Sequence, residues 1–175
     1  MGVIIFGKGC GYCPDSISEG INIDAAILRF LIFALPNNTM ALSTFSYEKL
    51  QAFAYDIFIS MGCSHAHATT ATEVLLSADL RGIDSHGLAR LSGYVRLWEA
   101  KRINSQPDLK IVHESPSTAV VDGDSGLGLV VAPWAMEIAI SKATVCGTGW
   151  VAVKNSNHFG IAGKHAMMAL PHDMI

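Results

Sequence analysis

The feature that most constrains this sequence is a strand, helix, strand order in its second half. Thr118 to Val121 is a short run rich in β-branched residues, and Pro133 is placed to open a helix lasting to Cys146, where Gly147 stops it. Trp150 to Val153 then reads as a second strand. Two strands joined through a helix run parallel, and the crossover is expected to be right-handed, so the class is α/β. The turn-like Asp122-Gly123-Asp124-Ser125-Gly126 is expected to close the first strand.

Helices precede these β-α-β units. Leu50, Phe53, Ala54, Ile57, Phe58 and Met61 recur at helical spacing, Glu48 sits in the first turn, and Gly62 ends the pattern. Ser64 can cap a second helix to about Leu80, with Ala68, Ala71, Leu75 and Ala78 on one face and Gly82 at its end. After a break at Ile83 to Gly87, Leu91, Tyr94, Val95 and Trp98 mark a third helix ending in Lys101-Arg102. A last helix is expected from Ala162 to Leu170. The turn-rich Pro36-Asn37-Asn38-Thr39 divides the chain into an extension, residues 1–39, and a folded unit, residues 40–175.

Composition bounds the partners. Half of the 175 residues are hydrophobic, enough for a sizeable core, and only 15% are charged, so part of the surface is expected to be covered by a subunit interface or a further half. A net charge of -3 with no Lys/Arg cluster argues against nucleic acid. The longest apolar run, Ala25 to Leu35, contains Arg29 and is shorter than the roughly 20 residues of a membrane span, so no membrane partner is expected. Cys10, Cys13, Cys63 and Cys146 accompany no secretory signal, which points to a reducing cytoplasm and to buried, free thiols at Cys63 and Cys146.

Two polar clusters stand out. Asp84-Ser85-His86-Gly87-Leu88-Ala89-Arg90 is wedged between helices: Arg90 can grip a carboxylate two-pronged, Ser85 can donate a hydrogen bond, and His86 titrates near neutrality. The plainer reading is a capped helix start, with Asp84 or Ser85 as the cap and His86 on the surface. Asn155-Ser156-Asn157-His158-Phe159-Gly160 follows a strand, at the end where α/β sheets bind ligands, and His158 can act as general acid and base. Its plainer reading is a satisfied loop histidine.

Three further signals carry less. Cys10-Gly11-Tyr12-Cys13 looks like a glutaredoxin-type loop, but too few residues surround it to build that fold, so an inert extension is expected. Cys63, His65 and His67 lie two apart, point away from one another on a helix, and imply no metal site. Gly123, Gly126 and Gly128 miss the G-x-G-x-x-G spacing of a Rossmann phosphate loop.

Taken together, Arg81 to Leu91, Asp122-Gly123-Asp124 to Gly126-Leu127-Gly128, and Ser156 to Gly160 with Ala162-Gly163 resemble the malate/L-lactate dehydrogenase family in order and spacing. That family also includes sulfolactate, ureidoglycolate and diketogulonate enzymes and a cyclic imino acid reductase. The resemblance covers about Met40 onwards and looks like the N-terminal half of the longer family chains. It implies a non-Rossmann fold and a homodimeric enzyme transferring hydride between NAD or NADP and the C2 carbon of a 2-oxo or 2-hydroxy acid such as malate or lactate. It implies proton transfer by His86 and His158, substrate contacts from Ser85 and Arg90, and cofactor contacts from His158, Phe159, Gly160, Ile161 and Ala162. The rival expectation is a catalytically inactive fragment that acts only by associating with itself or with a full-length partner.

Overall fold

A computed structural model of the chain describes residues 45–175; the 1–39 extension and the Cys10/Cys13 pair lie outside the described residues. Helix α1, Tyr47–Ser60, buries Ala54, Ile57 and Phe58, and helix α2, His65–Asp79, packs back against it. The chain reverses at Gly62, whose φ of +88° is a left-handed conformation that favours glycine. The Ser64 hydroxyl accepts from the His67 amide at 3.2 Å, which is the expected cap of α2. Two single-turn 3₁₀ segments, Asp84–His86 and Leu88–Arg90, then lead into α3, Leu91–Glu99, which buries Leu91, Tyr94 and Val95.

A mixed three-stranded sheet follows, in the order β1-β2-β3. Strands β2, Thr118–Gly126, and β3, Trp150–Ser156, pair in parallel as expected, joined through α4, Gly128–Cys146. Strand β1, Lys110–Glu114, pairs antiparallel to β2 and was not anticipated: all five of its residues are exposed, so no apolar face marked it.

Helix α4 holds the two layers together. Its Leu129 and Val130 join the core built by α1, α2 and α3, while Val131, Ala135 and Ala139 join a second cluster with Ala119, Val121, Val151 and Val153 of the sheet. α4 is long and apolar enough to cross a membrane by length and composition, but nine of its residues are buried within the protein.

Four details differ from expectation. α4 begins at Gly128, five residues before Pro133, because the apolar stretch from Leu129 to Ala132 also faces the core; the proline removes the bond its absent N–H would make to the Leu129 carbonyl. β2 runs on through Asp122–Gly126 instead of turning. Asp122 pairs with Lys154 and Gly126 with Ser156, so four steps of β2 face two of β3, and the excess is absorbed by Asp124 and Ser125 at positive φ. The last helix ends at Ala166 and tightens into a 3₁₀ segment, Met167–His172. Cys63 is buried and free, its thiol pushed up to about 11 by burial, whereas Cys146 is exposed rather than buried, with its Sγ 3.4 Å from the Pro116 carbonyl.

Candidate active site

The first polar cluster is held in place from below by Asp79, the last residue of α2. Its carboxylate accepts from the Leu88 amide at 2.8 Å, and Gly87 lies so close against it that a Cβ would overlap the carboxyl group. Burial, the largest influence, pushes the Asp79 carboxyl up, and the Leu88 hydrogen bond opposes it. Within the cluster, Arg90 Nε donates to the Ser85 carbonyl at 2.6 Å and Ser85 Oγ lies 2.9 Å from His86 Nδ1. Among the described residues no side chain caps α3, so neither Asp84 nor Ser85 has the capping role that the plainer reading gave them. Ser85 and Arg90 are exposed and His86 is half-buried.

The second cluster follows β3 and is pinned on three sides. Asn157 Nδ2 donates to the carbonyls of Ser125 and Gly126, at 2.8 and 3.0 Å, tying the loop to the β2 bulge. His165, 3% exposed, has its Nε2 2.8 Å from the Phe159 carbonyl, with the two rings 5.5 Å apart; burial foremost holds its pKa below the ordinary histidine value. Gly128, at the start of α4, abuts the carbonyls of Asn157 and His158 with no room for a side chain. A Cβ at Gly123 would likewise meet the Asn155 carbonyl, and one at Gly126 would meet Pro107, so this chain's own backbone and side chains fill the space beside these glycines.

These supports bring together residues 72 apart in sequence: the rings of His86 and His158 lie 5.6 Å apart at an angle of 31°. His158 Nδ1 sits 2.7 Å from the Tyr94 hydroxyl and accepts from the Gly160 amide at 3.3 Å. Tyr94 is 2% exposed, and burial drives its phenol well above the ordinary tyrosine value, so it stays protonated. Partial desolvation, then electrostatic repulsion from His86 when it is protonated and from Arg90, holds the His158 imidazole below the usual histidine value. Of the segment His158 to Ala162, His158 and Ala162 are exposed and Phe159 is half-buried, while Gly160 and Ile161 are buried.

Sequence reasoning missed Tyr94, Asp79 and His165. Tyr94 was read as one more apolar position on α3, although it falls four residues after Arg90 and so continues the polar cluster along one helix face. Asp79 did carry a signal: a carboxylate in the last turn of a helix opposes the helix dipole and needs another reason to be there.

The sequence pattern of the malate/L-lactate dehydrogenase family matches residues 45–175. The L-sulfolactate dehydrogenase of Methanocaldococcus jannaschii is 48% identical over 128 residues, which are 73% of this chain and 37% of that protein. The malate dehydrogenase of Pyrococcus abyssi is 45% identical over 73% of this chain and 35% of its own length, so the chain spans little over a third of the curated relatives it matches. The solved structure of the malate dehydrogenase of Pyrococcus horikoshii superposes with a TM-score of 0.74 at 36% identity, covering 79% of this chain and 40% of that one. By its sequence pattern, its fold and these relatives, the chain belongs to the malate/L-lactate dehydrogenase family.

Proposed function

We propose that this chain carries the substrate-facing part of an NAD- or NADP-dependent oxidoreductase that interconverts a 2-oxo acid and its 2-hydroxy acid, with malate or lactate as the type of substrate. The observation that carries the reading is the convergence of Arg90, Ser85, His86 and His158 on one open surface. Among the described residues Arg90 bonds through its Nε alone, so its terminal nitrogens are available to take a carboxylate two-pronged. The facing histidines supply a proton carrier beside the position a C2 oxygen would take. Relatives named malate, sulfolactate and hydroxycarboxylate dehydrogenases favour the same class.

The cofactor meets the chain at His158, Phe159 and Ala162, and at Gly160 and Ile161 through backbone only. Among the described residues nothing lies within 4 Å of where a Cβ would stand at Gly163, which leaves room beside this stretch. When bound, the reduced nicotinamide supplies hydride to C2. The protein works as a homodimer in the cytoplasm in this reading.

Calorimetric titration of the chain and its Arg90→Met variant with oxamate, a pyruvate mimic, tests the carboxylate role. A charged hydrogen-bonded pair contributes about 1.5–3 kcal/mol, so the variant binds roughly ten- to a hundredfold more weakly. Equal affinity rejects the assignment.

The second reading, a chain acting by association alone, draws on its exposed apolar residues, among them Leu80 at 67% and Val145 at 82% exposure. Light scattering that shows only a highly soluble monomer at high concentration rejects it.

A further inference from the structure

The two histidines differ in what their Nδ1 atoms face. His86 Nδ1 faces the Ser85 hydroxyl, which rotates to donate or accept, so the His86 ring keeps a partner in either protonation state. His158 Nδ1 faces the Gly160 amide, and a backbone N–H only donates. A proton on that nitrogen would point at the amide hydrogen. The Tyr94 hydroxyl lies 2.7 Å from the same nitrogen and can donate to its lone pair, on a residue packed against Phe58 with rings 6.5 Å apart.

We propose that Tyr94 is a positioning residue which, with the Gly160 amide, holds His158 as the neutral tautomer protonated on Nε2, so that His158 donates a hydrogen bond to the substrate oxygen while His86 carries the transferable proton. This division of labour rests on the oxidoreductase reading above; the tautomer itself does not. In the reduction direction hydride from the nicotinamide adds to C2, the carbonyl π pair moves to oxygen, and that oxygen takes the Nε2 proton of the His86 imidazolium. His86 is left neutral, keeping its other proton on Nδ1 and donating it in a hydrogen bond to Ser85 Oγ, and His158 finishes as it began. A neutral imidazole donor strengthens its bond as charge builds on oxygen and needs no proton of its own to move. The charged groups set against His158 agree with a neutral ring: His86 and Arg90, from the two 3₁₀ segments, are both cationic or able to become so, and the Tyr94 phenol is neutral.

The test is nitrogen-detected NMR of the histidine-labelled chain, with His158 assigned by the signals that His158→Gln removes. The wild-type chain is expected to show Nε2 protonated and Nδ1 bare near neutral pH. In Tyr94→Phe, shown to be folded by circular dichroism, an Nδ1–H population appears and the His158 midpoint moves up toward about 6.5, the ordinary value. A wild-type His158 carrying its proton on Nδ1, or an imidazolium at neutral pH, overturns the proposal even if the variant fails to fold. So does a folded variant with unchanged tautomer and midpoint. These spectra need neither cofactor nor substrate, so a chain with the expected tautomer that binds no NADH loses the oxidoreductase reading and keeps the Tyr94 assignment.

Discussion

Gly128→Ala joins the fold to the site most directly. The glycine opens α4 with an ordinary backbone conformation, so the substitution strains no dihedral; its cost is entirely spatial. A Cβ there would overlap the Asn157 carbonyl oxygen and stand 2.5 Å from that of His158, against the 3.4 Å at which ordinary contact begins, so the Asn157-His158 backbone must retreat by at least about 0.9 Å. Forcing an extra methyl into a packed site costs about 1–3 kcal/mol, and a shift of about 1 Å at a reacting group costs about a hundredfold in rate. Thermal unfolding reads the stability cost, and the His158 NMR signals read the displacement that would slow the reaction. Gly163→Ala is the control, because nothing lies within 4 Å of its added methyl and Ala is a better helix former, so it should be neutral or stabilising by up to about 1 kcal/mol. A Gly128→Ala chain as stable as wild type with unmoved His158 signals refutes the reasoning.

Acid should destabilise the chain through its depressed histidines. His165 and His158 hold folded pKa values below the ordinary histidine value, so the unfolded chain binds more protons as pH falls; their stability is full above about 6.5 and declines below it. Thermal scans from pH 8 to 5 should show the loss and His165→Gln should flatten it; a melting temperature constant over that window contradicts this. Thiol labelling read by peptide mass should modify Cys146 in the native chain and Cys63 only after unfolding, since Cys63 is buried with its thiol at about 11. Equal labelling of both in the native chain contradicts the packing of the first core.

The helices were legible because their apolar residues recur at the spacing of one face, and the turn at Gly62 because its backbone conformation favours glycine. The parallel pair of β2 and β3 was legible from apolar runs on either side of a helix. The start of α4 was not, because a helix buried on several sides has no polar face to mark its first turn, and Pro133 offered a more familiar beginning. β1 was invisible because it is short and exposed, held by backbone bonds to β2 and by the Glu114–Lys142 ion pair rather than by an apolar face. In the site, Ser85, His86, Arg90 and His158 were visible as polar residues where periodicity needs none. Tyr94 was hidden because its hydroxyl acts from a helix face whose pattern is otherwise apolar, and although Asp79 stood out as a carboxylate in a last turn, only the fold shows what either residue touches.

The central claim is a site for a nicotinamide cofactor and a 2-oxo acid built around His86 and His158. Fluorescence titration of the purified chain with NADH and NADPH, with and without pyruvate or oxaloacetate, tests it most directly. The account predicts saturable binding of at least one cofactor, tightened by the oxo acid. A folded chain that binds neither cofactor, with or without the acid, contradicts it.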